Sequence, residues 1–478
     1  MVSIKHNFFY SSLLTVANYL FPLITYPYVS RVLGVANIGV CNFVDSILQW
    51  FILFSMMGIS IVGNREIAAC RDDELRRSKV FSEFILLNLS TTVIAIIVLI
   101  GAMYTVPSLF QYRRLLWIGV VKLTANFACI DWLFRGTELF KYITGRTILV
   151  KLLYVVAVFA FVHKAEDYTV YYLLSVLMIA GNAIINLLYS KQLVGICFHG
   201  LNLSRHVKPY LTLGLYMFLS SMYITFNVTY LGVATDEIQV GYYTTATKLH
   251  GIIIAFFSAF TGVMLPRMSS LLAEGRMEEF KKYIDKSFDL LLVYAVPLVL
   301  FFGVTAPEVV RLLAGAGYEG AILPTRIIMP LILIIGFEQI FVIQILMPLR
   351  LDREVFINSV VGAILGITLN LLLVKHLKST GSAIVWLTCE LSVLVMASYF
   401  TKKRSGISFP WRKSFRMFLV YFPSLIGCVL CYILIPDHWV RFAVTTLWMG
   451  IYVTVYVLAI RKDEMVYSLL AGVRKRLH

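Results

Sequence analysis

Apolar runs of membrane-crossing length, separated by short polar or basic connections, recur along the chain from Phe8 to Ile460. A hydrocarbon core about 30 Å thick asks for about 20 such residues per helix. The pattern predicts helices over 8–30, 38–62, 80–104, 115–134, 147–163, 168–190, 209–233, 238–265, 287–305, 322–347, 356–375, 380–400, 416–435 and 438–460. The fold class expected is an all-α polytopic membrane protein of about fourteen helices. The opening MVSIKHN runs into the first apolar stretch without a small-residue cleavage site, so that helix is expected to stay as a signal anchor.

Composition agrees with the pattern. Of 478 residues, 59% are apolar and 14% charged, with a mean hydropathy of +0.82, whereas soluble domains carry about 25% charge. The connections leave no room for a large soluble catalytic domain. The net charge of +16 is read as an insertion signal and an attraction to anionic lipid heads rather than a nucleic-acid footprint. Most of the 42 Lys and Arg fall in alternate connections, including Arg71, Arg76, Arg77 and Lys79, then Arg135, Lys141, Arg146 and Lys151. Lys402 to Arg404 and the tail from Arg461 continue the series, with Lys5 at the other terminus. Loops of that kind stay inside, so both termini are expected in the cytoplasm of a bacterial inner-membrane protein.

The stretch RVLGVANIGVCNFVDSILQ reappears as TYLGVATDEIQVGYYTTATKLH. Leu33 to Ala36 match Leu231 to Ala234. After an insertion Gly39 matches Gly241, and that offset sets Ser46 beside Lys248 and Arg65 beside Arg267. The shift spans an even number of helices, which makes the halves parallel repeats. Two six-helix lobes are expected at 1–200 and 201–405, with an appended helix pair and basic tail at 406–478.

Hydrolytic machinery is absent from the sequence. There is no GxxxxGK[ST] loop, HExxH or GxSxG elbow. The CxxC of Cys428 and Cys431 sits in an apolar helix without a second pair, so neither metal nor cofactor is expected, nor is enzymatic activity. Transport or binding remains, and charges at membrane depth become the informative residues because each costs about 2.5–3.5 kcal/mol to insert. Lys248, mid-span in GYYTTATKLHG, is the sharpest candidate for contact with an anion; Lys122 and Arg31 are further ones. Asp45, Glu338 and Glu390 are candidate charge partners, and Asp45 or Glu338 also candidate sites for a coupling ion. Pro22 and Pro27 interrupt the first span and suggest a gating helix.

The segments FPLITYPYVSRVLGVANIGVCNFVDSILQWFILFSMMGISIVGNREIA, DWLFRGTELFKYITGRTILVK and GYYTTATKL with LPRMSSL resemble the polysaccharide-biosynthesis (Wzx-type) flippases. These belong to the multidrug/oligosaccharidyl-lipid/polysaccharide exporter superfamily, which includes the multidrug and toxin extruders. The resemblance implies two six-helix lobes around a central cavity that opens alternately to either side. It also implies an undecaprenyl-diphosphate-linked oligosaccharide as substrate, moved from the cytoplasmic to the periplasmic leaflet for O-antigen, capsule or exopolysaccharide synthesis. In that family a basic residue at the position of Lys248 lines the cavity. Membrane lipids, a polysaccharide polymerase and a chain-length regulator are the implied partners, and a monomer suffices. A cation antiporter of the same superfamily is the alternative, although its cavity would favour acidic side chains. A non-transporting scaffold for glycan assembly is the third reading.

Overall fold

The computed structural model describes residues 4–457, and every element in them is helical. The basic tail from Arg461 and the Lys5 side chain lie outside the described residues. In chain order the α-helices are α1 (Ile4–Met56), α2 (Ile59–Ala69), α3 (Glu74–Thr105), α4 (Arg113–Ala128), α5 (Asp131–Gly136), α6 (Phe140–Phe161), α7 (Tyr168–Ser190) and α8 (Ser204–Ala234). They continue with α9 (Glu237–Ala273), α10 (Met277–Ala314), α11 (Ile322–Ile328), α12 (Leu331–Gln339), α13 (Asp352–Leu369), α14 (Lys375–Ser405), α15 (Trp411–Leu434) and α16 (His438–Val455). Among the described residues, 10 helical stretches are long and apolar enough to cross a membrane. Two of those stretches hold a non-helical residue inside a long helix, Gly34 in α1 and Lys378 in α14. The chain is a multi-pass membrane protein.

The interior and exterior follow membrane rules rather than aqueous ones. Leu149, Leu152, Leu153 and Val156 stand exposed on one side of α6, where lipid would meet them. Ser55, Asn88, Thr92, Asn186 and Asn227 are buried between helices instead. Those groups are bonded across helices, Ser55 to Thr92 at 2.6 Å and the Asn227 amide to the Ser382 carbonyl at 2.9 Å. Small polar residues serve as helix-to-helix glue in lipid for this reason.

The predicted connection between the first two spans is a single break. The backbone remains helical through Pro22 and Pro27 and departs only at Gly34, with φ 74 and ψ 168. A side chain at that φ would be strained, so glycine marks the corner. The prolines do not break the helix, as the sequence suggested; it is the glycine of RVLG that does. Likewise α14 carries one non-helical residue, Lys378, where a loop was predicted. Pro330 separates α11 from α12 as expected of a residue that lacks an N–H.

Helices α1 to α7 pack mainly with one another, as do α9 to α14, and α15 and α16 lie against α10. The start of α8 docks on the first group: the Gly58 amide donates to the Tyr210 carbonyl at 3.2 Å, and His206 Nε2 lies 3.0 Å from Glu83 Oε2. At the far end of the molecule the second half of α1 meets α9 directly. The turn after α9 is a polar cap, in which the Ser270 hydroxyl and the Arg276 guanidinium hold the Glu274 carboxyl below the usual carboxylate range.

Candidate functional site

A cavity of about 210 Å³ opens where α1, α6, α7 and α9 converge. Its walls carry Pro22, Thr25 and Tyr26 from α1, Lys151 and Tyr154 from α6, Tyr171 and Met178 from α7, and Lys248 from α9. Lys248 thus reaches from the second half of the chain into a cavity otherwise walled by the first.

The Lys248 ammonium lies over the Tyr26 ring, 4.3 Å from its centroid. A cation at that distance is attracted by the negative face of the ring. The Tyr26 hydroxyl is anchored 2.6 Å from Thr245 Oγ1, one helical neighbourhood from Lys248, so the ring cannot swing away without breaking that bond. Lys151 Nζ donates to Asn18 Oδ1 at 2.6 Å. Two ammonium groups and three phenols on one surface offer donors to anionic oxygens and flat apolar faces to sugar rings.

The other predicted residues have different places. Lys122 Nζ is 2.7 Å from Asp45 Oδ1, which also accepts from the Tyr172 hydroxyl at 2.9 Å. Asp45 therefore neutralises Lys122, and Lys122 does not line the cavity. Arg31 is also outside it. Its guanidinium donates to the Pro27 carbonyl at 2.5 Å and to the Leu312 carbonyl at 2.6 Å. Those contacts join the end of the first helical segment to the last turn of α10, whose free carbonyls attract a cation. The Ser30 hydroxyl adds a bond to Leu313 O at 3.3 Å, and the Tyr318 hydroxyl one to Ser30 O at 3.3 Å. Arg31 and Pro27 belong to a clasp between the halves, while Pro22 stays with the cavity.

Glu338 hydrogen-bonds to Glu390 across α12 and α14, and neither lines the Lys248 cavity. Trp386 Nε1 donates to Glu390 Oε1 at 2.9 Å. A hydrogen bond between two carboxyl groups requires a proton on one of them.

Sequence reasoning missed Lys151, Tyr154 and Tyr171. Lys151 was counted with the basic connections although it lies inside the helix predicted over 147–163, and α6, from Phe140, carries it well inside the helix. The available signal was spacing: Lys151 and Tyr154 are three apart and share a helix face.

A family model described as "Polysaccharide biosynthesis protein" matches residues 4–272. A putative O-antigen transporter of Escherichia coli (strain K12) is 27% identical over 410 residues, covering 84% of this chain and 97% of the relative. Among solved structures, the lipid II flippase MurJ in an inward closed conformation superposes with a TM-score of 0.74 at 13% identity, over 93% of this chain and 98% of that one. An inward-facing multidrug resistance transporter of the MATE family gives 0.63 at 16% identity, over 82% and 94%. At such identities the two structures speak for the fold, an all-α bundle shared across that superfamily.

Proposed function

The chain belongs to the polysaccharide biosynthesis protein family, and from that premise we propose that it is a flippase for an undecaprenyl-diphosphate-linked oligosaccharide. The relative named an O-antigen transporter supports the substrate class. The observation that carries the reading is the cavity in which Lys248 and Lys151 stand among Tyr26, Tyr154 and Tyr171. Diphosphate oxygens need cationic donors at membrane depth, since an unpaired charge there is far costlier than an unpaired hydroxyl.

At about 210 Å³ the cavity is smaller than the roughly 300–1,000 Å³ of ordinary ligand pockets. The halves therefore have to part for a sugar head to enter. We place the rigid bodies at 1–200 and 201–405, with the helices from 406 onward riding on α10. The Arg31 clasp and the α1 to α9 seam close the end predicted to be periplasmic, so this conformation corresponds to a state closed outward. Release of the clasp and closure of the basic end would carry the head across, while the prenyl tail stays in lipid. Pro22 and Pro27 supply bendable points in α1 for that exchange.

The drive is an inside-negative potential acting on an anionic head, about 2.3 kcal/mol per charge per 100 mV. The Glu338 and Glu390 pair is the better candidate for a coupled proton, because Asp45 is already committed to Lys122 and Tyr172. Cation export is the second reading, and it would use that carboxyl pair rather than the lysine cavity. Reconstituted vesicles decide between the two: movement of a lipid-linked diphosphate sugar supports the flippase, and movement of organic cations alone rejects it.

A further inference from the structure

A second pocket, about 440 Å³, lies beside the first, toward the basic end of the α1 to α7 group. It is lined by Asn64 and Asn126, by Trp132 and Arg135 of the DWLFRG segment, and by Arg146 and Asn182. Neither the family resemblance nor the lysine cavity accounts for it.

Its polar groups are held ready and incompletely used. Arg146, 4% exposed at its side chain, donates to Asp131 Oδ1 at 3.0 Å and Thr147 Oγ1 at 3.1 Å, yet its Nε has no partner. The Trp132 indole nitrogen and the Asn182 carbonyl oxygen are buried and equally without partners, and Trp132 is 3% exposed. A buried polar group left unmatched is costly, so two donors and one acceptor without partners in one pocket point to a ligand. Arg135 is exposed at the rim and makes no ion pair among the described residues. With Asp131 spent on Arg146, the pocket keeps one net positive charge.

The unmatched set fixes the chemistry. Trp132 N–H, Arg146 N–H and the Arg135 guanidinium ask for anionic oxygens, whereas Asn182 Oδ1 asks for a hydroxyl donor. A phosphate joined to a sugar supplies both. The two pockets also share helix faces: Thr147, Lys151 and Tyr154 recur at positions i, i+4 and i+7 on α6, and Tyr171, Met178 and Asn182 at i, i+7 and i+11 on α7.

We propose that this pocket is a vestibular site that binds the glycosyl phosphate head of the lipid-linked substrate before the head advances along α6 and α7 to Lys151 and Lys248. The direction of travel rests on the flippase reading; binding itself does not.

The test is titration calorimetry on the full chain in detergent micelles, with inorganic phosphate, glucose 1-phosphate and farnesyl-diphosphate-linked glucose as probes. Arg135→Gln is expected to weaken all three by about tenfold, the loss of one charge-assisted contact. Asn182→Leu is expected to weaken the two sugar probes and leave inorganic phosphate unchanged. Unchanged affinity in Arg135→Gln, or glucose 1-phosphate binding as tightly as the lipid-linked probe, would overturn the proposal, the latter by showing a site for free sugar phosphates. Failure of wild-type vesicles to move the lipid-linked probe would instead sink the flippase reading, and the micelle titration does not depend on movement.

Discussion

Gly39 and Gly241 face each other across the seam between α1 and α9, each where a Cβ would strike the opposite backbone. The contact would be 1.7 Å from Glu237 O for Gly39 and 2.4 Å from Val35 O for Gly241. The relationship is reciprocal. By the offset that aligns the two glycines, each touches the residue four positions before its counterpart, as across a two-fold axis. Asn42 and Thr244, aligned by the same offset, are hydrogen-bonded at 2.9 Å. The repeat in the sequence is thus a contact in space, with equivalent residues meeting along the seam.

Gly39→Ala is expected to force the seam apart. Overpacking costs about 1–3 kcal/mol, which moves the balance between closed and open states by roughly five- to more than a hundredfold. Distances between spin labels on α1 and α9 should lengthen, and transport should fall with them. An unchanged distance distribution would contradict the tight seam.

Arg31→Ala should loosen the clasp by removing the donors to Leu312 and Pro27 carbonyls. Hydrogen exchange over residues 312–318 is expected to quicken in the variant, because those carbonyls lose their partner and the segment opens more often. Arg31→Lys, which offers a point charge in place of a planar fork, should restore protection only in part. Equal protection in all three proteins would show that the clasp carries no load.

Asp45→Asn leaves Lys122, 12% exposed at its side chain, without its counter-charge. A fully buried pair broken this way costs about 3–5 kcal/mol; with Asp45 44% exposed, about 2 kcal/mol is expected after solvent screening. The double variant Asp45→Asn with Lys122→Met should recover most of the loss in a thermal-unfolding cycle. Strictly additive effects would mean that the two side chains do not interact.

Glu338→Gln should uncouple the protein from protons if the pair with Glu390 carries one. Collapsing an imposed pH gradient is expected to slow wild-type flipping and leave the variant unaffected. Equal sensitivity in both would remove the pair from the coupling scheme, leaving the membrane potential as the drive.

What the sequence disclosed was what depends on local pattern. Apolar runs located the helices, and the repeat matched Gly39 with Gly241, but their contact in space was not read from it. Lys248 stood out because a mid-span charge has nowhere to go but inward. The partners were hidden, since contacts between helices far apart in the chain leave no periodic trace. Nothing in the spacing assigns Asp45 to Lys122, or the Arg31 guanidinium to carbonyls at the end of α10. Arg146 was hidden for another reason: hydropathy set the helix boundary at 147, just past it, whereas α6 begins at Phe140; Lys151 fell inside the predicted helix but was counted with the basic connections. The connection expected at 31–37 failed likewise, because the polar residues Arg31 and Asn37 sit in continuous helix on either side of Gly34.

The most direct measurement is movement of an undecaprenyl-diphosphate-linked oligosaccharide across vesicles containing wild type, Lys248→Ala, Lys248→Arg or Lys151→Ala at matched insertion. The account predicts rapid movement in wild type, a loss of about tenfold or more for either alanine variant, and substantial recovery with Lys248→Arg, because a cation facing the diphosphate is what the cavity supplies. Full activity in both alanine variants would contradict it.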